Sequence, residues 1–288
     1  MDANRPLLCV IGAGRVGTAL AALLYERGYT VAAVYSRSPT SAATLAHRVG
    51  AAAAQSAVAA AQEADLILLT VSDDAVAEVA AALVGHDLRG RGVAHTSGAL
   101  SASVLDPLRA AGASVGSLHP VYPFAARGAD TSLAGVAFAV EATDEPLRGW
   151  LIDAVATLGG YVLNIPPGGK PVYHAALVLM SNYTVTLYAL ALRLLTGLGA
   201  DEAACQQALN ALLSATAVNL SALGVPDALT GPIVRADRRT IAAHLDALEQ
   251  TNADTAHVYR LLGRLTLPLA AARGVDIEPL KRLLDEGV

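Results

Sequence analysis

The chain has 288 residues, of which 54% are hydrophobic and 16% charged, so it can fill one large or two modest cores and is neither a disordered segment nor a charge-rich coiled coil. A formal net charge of −5, with no basic stripe interleaved with aromatics, argues against a nucleic-acid binder. Cys9 and Cys205 have neither C-x-x-C nor His/Cys ligand spacing, and no pair of histidines is supported by a third ligand, so neither a disulfide framework nor a metal site is expected.

The opening residues Met1-Asp2-Ala3-Asn4-Arg5-Pro6 lack the charged-then-apolar pattern of a signal peptide, which makes a cytoplasmic location the default. Residues 7–11 form an apolar run of strand length that stops at Gly12-Ala13-Gly14-Arg15-Val16-Gly17. Beyond it Val16, Leu20, Leu23 and Leu24 recur at helix spacing. A strand, a tight turn and a helix follow from that pattern. Gly12 lets the chain turn, Gly14 lets a pyrophosphate approach the backbone, and Gly17 lets helix and strand pack closely. Phosphates would sit on the unpaired N–H groups at the helix's positive end, so Gly12, Gly14, Arg15, Val16 and Gly17 are assigned to a dinucleotide.

Gly28 ends the helix and residues 30–35 read as a second strand. An NAD site would place an acidic residue about twenty positions past the glycines. Here the slot reads Tyr35-Ser36-Arg37-Ser38, with no Asp or Glu between Glu26 and Glu63. Arg37 can fork onto a 2′-phosphate while Ser36 and Ser38 donate hydrogen bonds, so NADP is expected over NAD.

Short helices and strands continue to alternate: helix 40–48, strand 51–54, helix 56–62, then a buried strand at 65–71 that runs into Ser72-Asp73-Asp74. Val71 and Ser72, at that strand's carboxyl end, complete the expected cofactor site. Asp73 and Asp74 read as helix-capping residues ahead of a helix at 75–84, not as a catalytic pair. Strand 93–95 ends in Thr96-Ser97-Gly98, and ligands of parallel sheets bind at carboxyl ends of strands, so Thr96 and Ser97 are placed near the nicotinamide. A helix at 101–110 and a strand at 114–118 follow. The segment His119-Pro120-Val121-Tyr122-Pro123-Phe124 then reads as a stiff loop presenting His119 and Tyr122 to a pocket.

Residues 136–140 and 161–164 read as two more strands. They bracket a helix that starts near Thr143-Asp144-Glu145-Pro146 and carries Leu147, Leu151, Val155 and Leu158 on one face. Ile165-Pro166-Pro167-Gly168-Gly169 breaks the pattern, and helical periodicity covers 171–196, 201–223, 236–249, 251–273 and 279–285. The expected fold class is α/β: a doubly wound parallel sheet over residues 1–167, followed by an all-α domain over 168–288. Residues 175–192 carry no charge and approach the length of a membrane span, yet they include Ser181, Asn182, Tyr183, Thr184, Thr186 and Tyr188. A helix buried inside the globule or in a dimer is the expected state, and no membrane is expected as partner.

In the helical half, Lys170 precedes Pro171, a favoured first helical residue, and His174 lies four residues on, about 6 Å along the axis on the same face. A lysine beside a carbonyl can stabilise alkoxide charge or donate a proton, and a histidine titrates near neutrality. Asn182 lies about 18 Å beyond Lys170 on an ideal helix and off the shared face, so it serves either the substrate or a helix–helix hydrogen bond. The turn Leu229-Thr230-Gly231-Pro232-Ile233-Val234-Arg235-Ala236-Asp237 either brings Thr230 or Arg235 to an anionic substrate or only connects helices. His47, His86, His244 and His257 read as surface groups.

Together, several motifs resemble those of NADP oxidoreductases with a Rossmann domain followed by the helical domain of unknown function 2520. They are Gly12-Ala13-Gly14-Arg15-Val16-Gly17, His95-Thr96-Ser97-Gly98, Leu118-His119-Pro120, Lys170 with Tyr173-His174 and Ser181-Asn182, and Leu229-Thr230-Gly231-Pro232 with Arg235 and Asp237. More distantly the layout is similar to 6-phosphogluconate and 3-hydroxyisobutyrate dehydrogenases, ketopantoate reductase and pyrroline-5-carboxylate reductase. In the first two, a lysine followed four positions later by an asparagine serves the reaction. Lys170 matches that lysine, while His174 stands where the asparagine would be, and the His119-Pro120 turn replaces the serine-glycine-glycine that holds substrate. The resemblance also implies a homodimer through the C-terminal helices.

The combined expectation is hydride transfer between NADP(H) and a small anionic keto or hydroxy acid. Lys170 would polarise or protonate the carbonyl oxygen, with His174, Ser97 and His119 orienting the substrate and Asn182 a further candidate. A cyclic-imine reductase of the pyrroline carboxylate type and a non-catalytic NADP-binding sensor are the alternatives.

Overall fold

The computed structural model describes residues 5–124, 132–142 and 144–285, and divides into two compact units, Met1–Asn182 and Tyr183–Val288. The first unit is built on an eight-stranded sheet. Its strands are β1 (Leu8–Ile11), β2 (Val31–Tyr35), β3 (Ala52–Ala53), β4 (Leu66–Leu69), β5 (Gly92–His95), β6 (Ser114–Pro120), β7 (Ala137–Ala142) and β8 (Tyr161–Leu163), in the order β3-β2-β1-β4-β5-β6-β7-β8. Strands β1 to β6 run parallel. The sheet is not parallel throughout, however, because β7 returns antiparallel to β6, with Gly116 opposite Ala142 and Pro120 opposite Phe138. An antiparallel return needs no crossover helix.

Alternate residues of each central strand feed opposite cores. Leu8, Val10, Leu66 and Leu68 join one cluster, while Cys9, Ile11, Ile67 and Leu69 join the other. Burial of both faces explains why these strands are continuous apolar runs instead of alternating ones. Helices cover the two faces: α1 (Arg15–Glu26), α2 (Pro39–Arg48), α3 (Ala57–Gln62), α4 (Asp73–Leu83) and α5 (Leu147–Thr157). Ser38 and Ser56 cap α2 and α3 by accepting from the N–H groups of Ser41 and Ala59. Asp73 and Asp74 lie in the first turn of α4, where their charge complements the helix dipole. Thr143, where the sequence places the approach to α5, lies outside the described residues, as do Met1 to Asn4 of the N-terminal segment.

The helix expected at 101–110 is present as a 3-10 helix over Ala102–Ala111, since Pro107 inside it removes an N–H and crowds the preceding turn. Two sequence expectations are corrected. His119 and Pro120 belong to the end of β6, so a strand and not a loop presents His119. The expected helix over 171–196 is two helices, α6 (Lys170–Met180) and α7 (Asn182–Gly197), with Ser181 between them. Ser and Asn compete with the helix for backbone hydrogen bonds, which makes Ser181-Asn182 a natural place to break.

The first unit therefore includes α6. The second contains α7 from Tyr183 on, with α8 (Glu202–Leu223), α9 (Arg238–Thr251), α10 (Ala253–Ala272) and α11 (Glu278–Asp285). Asp201, Asp237 and Asn252 cap α8, α9 and α10 through their side-chain oxygens. Its core is Ile241, Leu245, Leu267, Leu280 and Leu284. By length and composition, the segment Lys170–Gly197 is the described one apolar enough to cross a membrane. Of the two expected states, burial inside the globule or in a dimer, the first holds only at Lys170 and Tyr173 of α6: α7 has no buried residue, and α8 buries Cys205 alone.

At the glycine turn the fold depends on an absent side chain. A Cβ at Gly17 would lie 2.1 Å from Gly12 O and 2.4 Å from Thr70 Oγ1, whereas one at Gly14 would meet nothing nearer than Thr70 O at 4.0 Å. Gly17→Ala should therefore lower the unfolding free energy by about 3 kcal/mol, and Gly14→Ala by about 1 kcal/mol or less. Urea unfolding of the two variants beside the parent measures this; equal losses would overturn the packing account.

Candidate functional site

The first site assembles at the carboxyl ends of β1, β2 and β4. Gly12 has φ +115°, a conformation that only glycine adopts without strain, and its N–H donates to Tyr35 O at 2.7 Å. Thr70, just past β4, donates its hydroxyl to Gly12 O at 2.6 Å and so staples the turn to the neighbouring strand. With Gly17 packed beneath, the first turn of α1 aims N–H groups that have no intrahelical acceptor at the space over Gly14. That space opens into a cleft of about 420 Å³ lined by Gly12, Gly14, Arg37, Ser38, Val71 and Ser72, with Tyr35, Ser36 and Glu78 also at its walls.

The structure brings together most of the expected cofactor residues. Arg37 is exposed at the cleft edge and makes no ion pair among the described residues. Ser38 spends its oxygen on the α2 cap but keeps a hydrogen to donate. Two residues face elsewhere: Val16 packs against the core, leaving only its backbone for a phosphate, and Arg15 reaches Phe124 O at 3.3 Å. Thr96 is buried, with its hydroxyl 3.5 Å from Leu69 O, and does not line the cleft.

A second site lies past β5 and β6, around the turn Thr96-Ser97-Gly98. His95 is fully buried. Its Nδ1 accepts the Ser97 N–H at 3.2 Å, so Nε2 carries the hydrogen and donates to Ser101 O at 3.1 Å. Desolvation holds its pKa below the usual histidine value. Ser97 Oγ accepts from the N–H groups of Ala99 and Leu100, which shapes the turn. Beneath it Lys170, 1% exposed, donates from Nζ to Ser97 O at 3.3 Å and lies 3.9 Å from Glu141 Oε2. The same Glu141 oxygen accepts the Ser117 hydroxyl at 3.0 Å and the Ala102 N–H at 2.9 Å. Burial pulls the Lys170 ammonium below the usual lysine range, and the charges of Glu141 and Asp73 partly offset it.

Above the turn stand two histidines. A Cβ on Gly98 would lie 2.7 Å from His119 Nε2 and 2.8 Å from His174 Cδ2. The two rings are 6.4 Å apart, edge to face, and His119 Nδ1 lies 2.7 Å from the Tyr173 hydroxyl. His119, His174, Ser181 and Asn182 give the polar lining of a cleft of about 410 Å³, and its walls include Val121, Tyr122, Leu177, Val178 and Met180. Lys170 and His174 therefore meet the same turn from different sides, and His174 alone of the two lines this cleft. Asn182 lines it at the start of α7, just past the break at Ser181.

Thr70, Glu141 and the Tyr173 partnership with His119 escape the sequence reading. Glu141 leaves one local trace, a carboxylate in the otherwise apolar strand Ala137–Ala142. Thr70 leaves none beyond its place at a strand end.

The family models match a Rossmann-like domain over residues 1–120 and the domain of unknown function DUF2520 over residues 136–266. Among solved structures, a provisionally assigned NADP oxidoreductase from Bacteroides fragilis is 26% identical, covering 92% of this chain and 98% of its own, with a TM-score of 0.72. An imine reductase from Pseudomonas sp. is 19% identical, covering 98% and 100%, with a TM-score of 0.66. A reductive aminase from Aspergillus terreus, in complex with NADPH and ethyl-5-oxohexanoate, is 18% identical, covering 98% and 93%, with a TM-score of 0.63. No match is found among curated proteins.

Burial, and then the nearby charges of Lys170 and His174, bring the pKa of the His119 imidazole down to about 4. The unfolded chain, with an ordinary histidine near 6.5, binds more protons than the folded one between those values. The contribution to stability is thus present above pH 6.5 and lost as the pH falls toward 4. Unfolding free energy measured in urea should rise between pH 4.5 and pH 7, and His119→Gln should flatten that rise. A slope unchanged by the substitution would overturn the buried neutral imidazole.

Proposed function

Because the chain joins a Rossmann-like domain to a domain of unknown function 2520, we propose that it is an NADP(H)-dependent oxidoreductase that reduces a C=N or C=O bond of a small molecule. The observation that carries the reading is the first cleft. A glycine turn left open at Gly14 and an arginine flanked by Ser36 and Ser38 at the end of β2 suit the pyrophosphate and 2′-phosphate of NADP. The cofactor bound by the Aspergillus neighbour supports the same reading.

Bound NADPH would supply the hydride. His119 and His174 would hold the substrate heteroatom in the second cleft, with Asn182 and Ser181 at the rim and apolar walls around the carbon skeleton. Ser97 shapes the floor of that site through its backbone turn. Lys170 acts from below, its ammonium keeping positive charge under the turn and favouring the developing negative charge above it.

Among the described residues lining the second cleft there is no Lys or Arg, and the Lys170 charge already faces Glu141. That lining favours a cyclic imine over the small anionic keto or hydroxy acid expected from the sequence, because a buried carboxylate needs a cation. NADPH oxidation followed with 2-methyl-1-pyrroline and with pyruvate separates the two classes. Coenzyme binding without turnover of either leaves the NADP-binding sensor.

We further take the protein to be a cytoplasmic homodimer. Val185 and Leu187 on α7, and Leu212, Val218 and Leu223 on α8, are exposed large apolar residues. Helices that bury almost nothing in their own chain need a partner for their apolar faces, and a second copy supplies one.

Two outcomes follow. Arg37→Ala should raise the Kd for NADPH about tenfold or more and leave that for NADH nearly unchanged, as read by nucleotide fluorescence titration. A parent protein that binds both coenzymes equally would overturn the NADP assignment. Sedimentation should find a dimer, and the paired change Leu212→Glu with Val218→Glu should yield a folded monomer; a monomeric parent would refute the assembly.

A further inference from the structure

The pairing of His119 with Tyr173 plays no part in the function as derived so far, and Tyr173 is an unusual group to find there. Its ring is buried, and its hydroxyl has no hydrogen-bond partner but His119 Nδ1 among the described residues. Neither charge nor solvent exposure explains it. We propose that Tyr173 is a positioning residue: by donating its hydroxyl hydrogen to Nδ1 it fixes His119 in the Nε2–H tautomer, so that a neutral imidazole presents Nε2–H to the substrate heteroatom on which negative charge develops in the second cleft.

The hydrogen-bond inventory sets the direction of that bond. A tyrosine hydroxyl can donate or accept, and a neutral imidazole has one nitrogen of each kind. Were Tyr173 the acceptor, its own hydrogen would be left in a buried site with no acceptor among the described residues, at the cost of an unmade hydrogen bond. As donor it leaves nothing unsatisfied. Burial pushes the Tyr173 hydroxyl up to about 12 and brings His119 down to about 4, so near neutrality the first keeps its proton and the second carries only one. With Nδ1 accepting, that hydrogen is on Nε2.

Geometry then decides what Nε2–H can do. The backbone of His119 is clamped in β6 by pairing with β7, where His119 lies opposite Ala139. Tyr173 sits in the first turn of α6, held by its N–H donating to Gly169 O at 2.9 Å. Both ends of the pair are therefore fixed by regular structure. On the far side of the ring Nε2 packs close over Gly98, where an added Cβ would come within 2.7 Å of it, and His119 lines the second cleft. A neutral imidazole donor gives a hydrogen bond that strengthens as charge builds on the heteroatom, with no proton transferred in the ground state. Lys170 sits 5.9 Å from the centre of the Tyr173 ring, placing a positive charge behind the pair.

This assignment rests on the second cleft being the substrate site. The tautomer itself does not, and ¹⁵N spectra of the imidazole-labelled protein read it without coenzyme or substrate. The His119 resonance, identified by its loss in His119→Gln, should show a protonated Nε2 and a bare, hydrogen-bonded Nδ1. In Tyr173→Phe, which keeps the buried ring, both tautomers should appear. With NADPH and 2-methyl-1-pyrroline, the same variant should lose about tenfold in kcat while its KM for NADPH stays unchanged, the size of one hydrogen bond of about 1.4 kcal/mol. A protonated Nδ1 in the parent, or a tautomer indifferent to Tyr173→Phe, would overturn the proposal even in an active reductase. Absence of turnover with the expected tautomer intact would instead count against the reductase reading.

Discussion

The buried ammonium of Lys170 is the constraint on which the second site depends. A charge taken out of water is tolerated only where its neighbours replace the lost solvation, and here a backbone carbonyl and a carboxylate do so. Ser97 O comes from the turn after β5, Glu141 from β7, and Glu141 in turn collects the hydroxyl of Ser117 on β6 and the N–H of Ala102 at the start of the 3-10 helix. One cation thereby ties α6 to four other elements of the first unit. Removing Glu141 would leave the ammonium without its carboxylate, and removing Lys170 would leave Ser97 O without its donor while Glu141 kept the Ser117 hydroxyl and the Ala102 N–H. The pair is best understood as fixing the shape of the turn, whatever its net worth in stability.

That arrangement explains which parts of the molecule could be read from sequence. The glycine turn was legible because all its requirements fall within six residues: positive φ at Gly12, open space at Gly14, close packing at Gly17. The alternation of strands and helices was legible because both sheet faces are buried, which writes continuous apolar runs into the chain. The second site is different. Lys170 meets Ser97 across 73 positions, and His119 meets Tyr173 across 54. No local spacing encodes such contacts, so the residues could be nominated one by one but not joined. Helical spacing even misdirected the reading, placing Lys170 and His174 side by side when the first turns down under Ser97 and the second up toward the cleft. Asn182, a further candidate in the sequence, lines the same cleft as His174.

The two clefts also differ in electrostatic character. The first is edged by an exposed, uncommitted guanidinium, suited to an anion that arrives with its own charge. The second keeps its cation below the floor and lines its walls with His174, the neutral imidazole of His119 and apolar side chains. A buried positive charge raises the potential over the turn without offering a salt bridge to compete with solvent. Such a site favours charge that develops during a reaction over charge a ligand brings with it, which is the difference between stabilising a transition state and binding an anion.

Gly98 is where these two layers meet, and it shows why a glycine can be required without any need for unusual backbone. No positive φ marks it, unlike Gly12. Its requirement is room: the Lys170 network fixes the peptide from beneath, His119 and His174 close over it from above, and a single added methyl would strike both rings. If the carbonyl of Ser97 is held from below and the rings are held by β6 and α6, the gap over residue 98 cannot widen by shifting either wall. The absence of a side chain at residue 98 is therefore what lets the two rings close over the turn, and the buried cation beneath holds that turn in place.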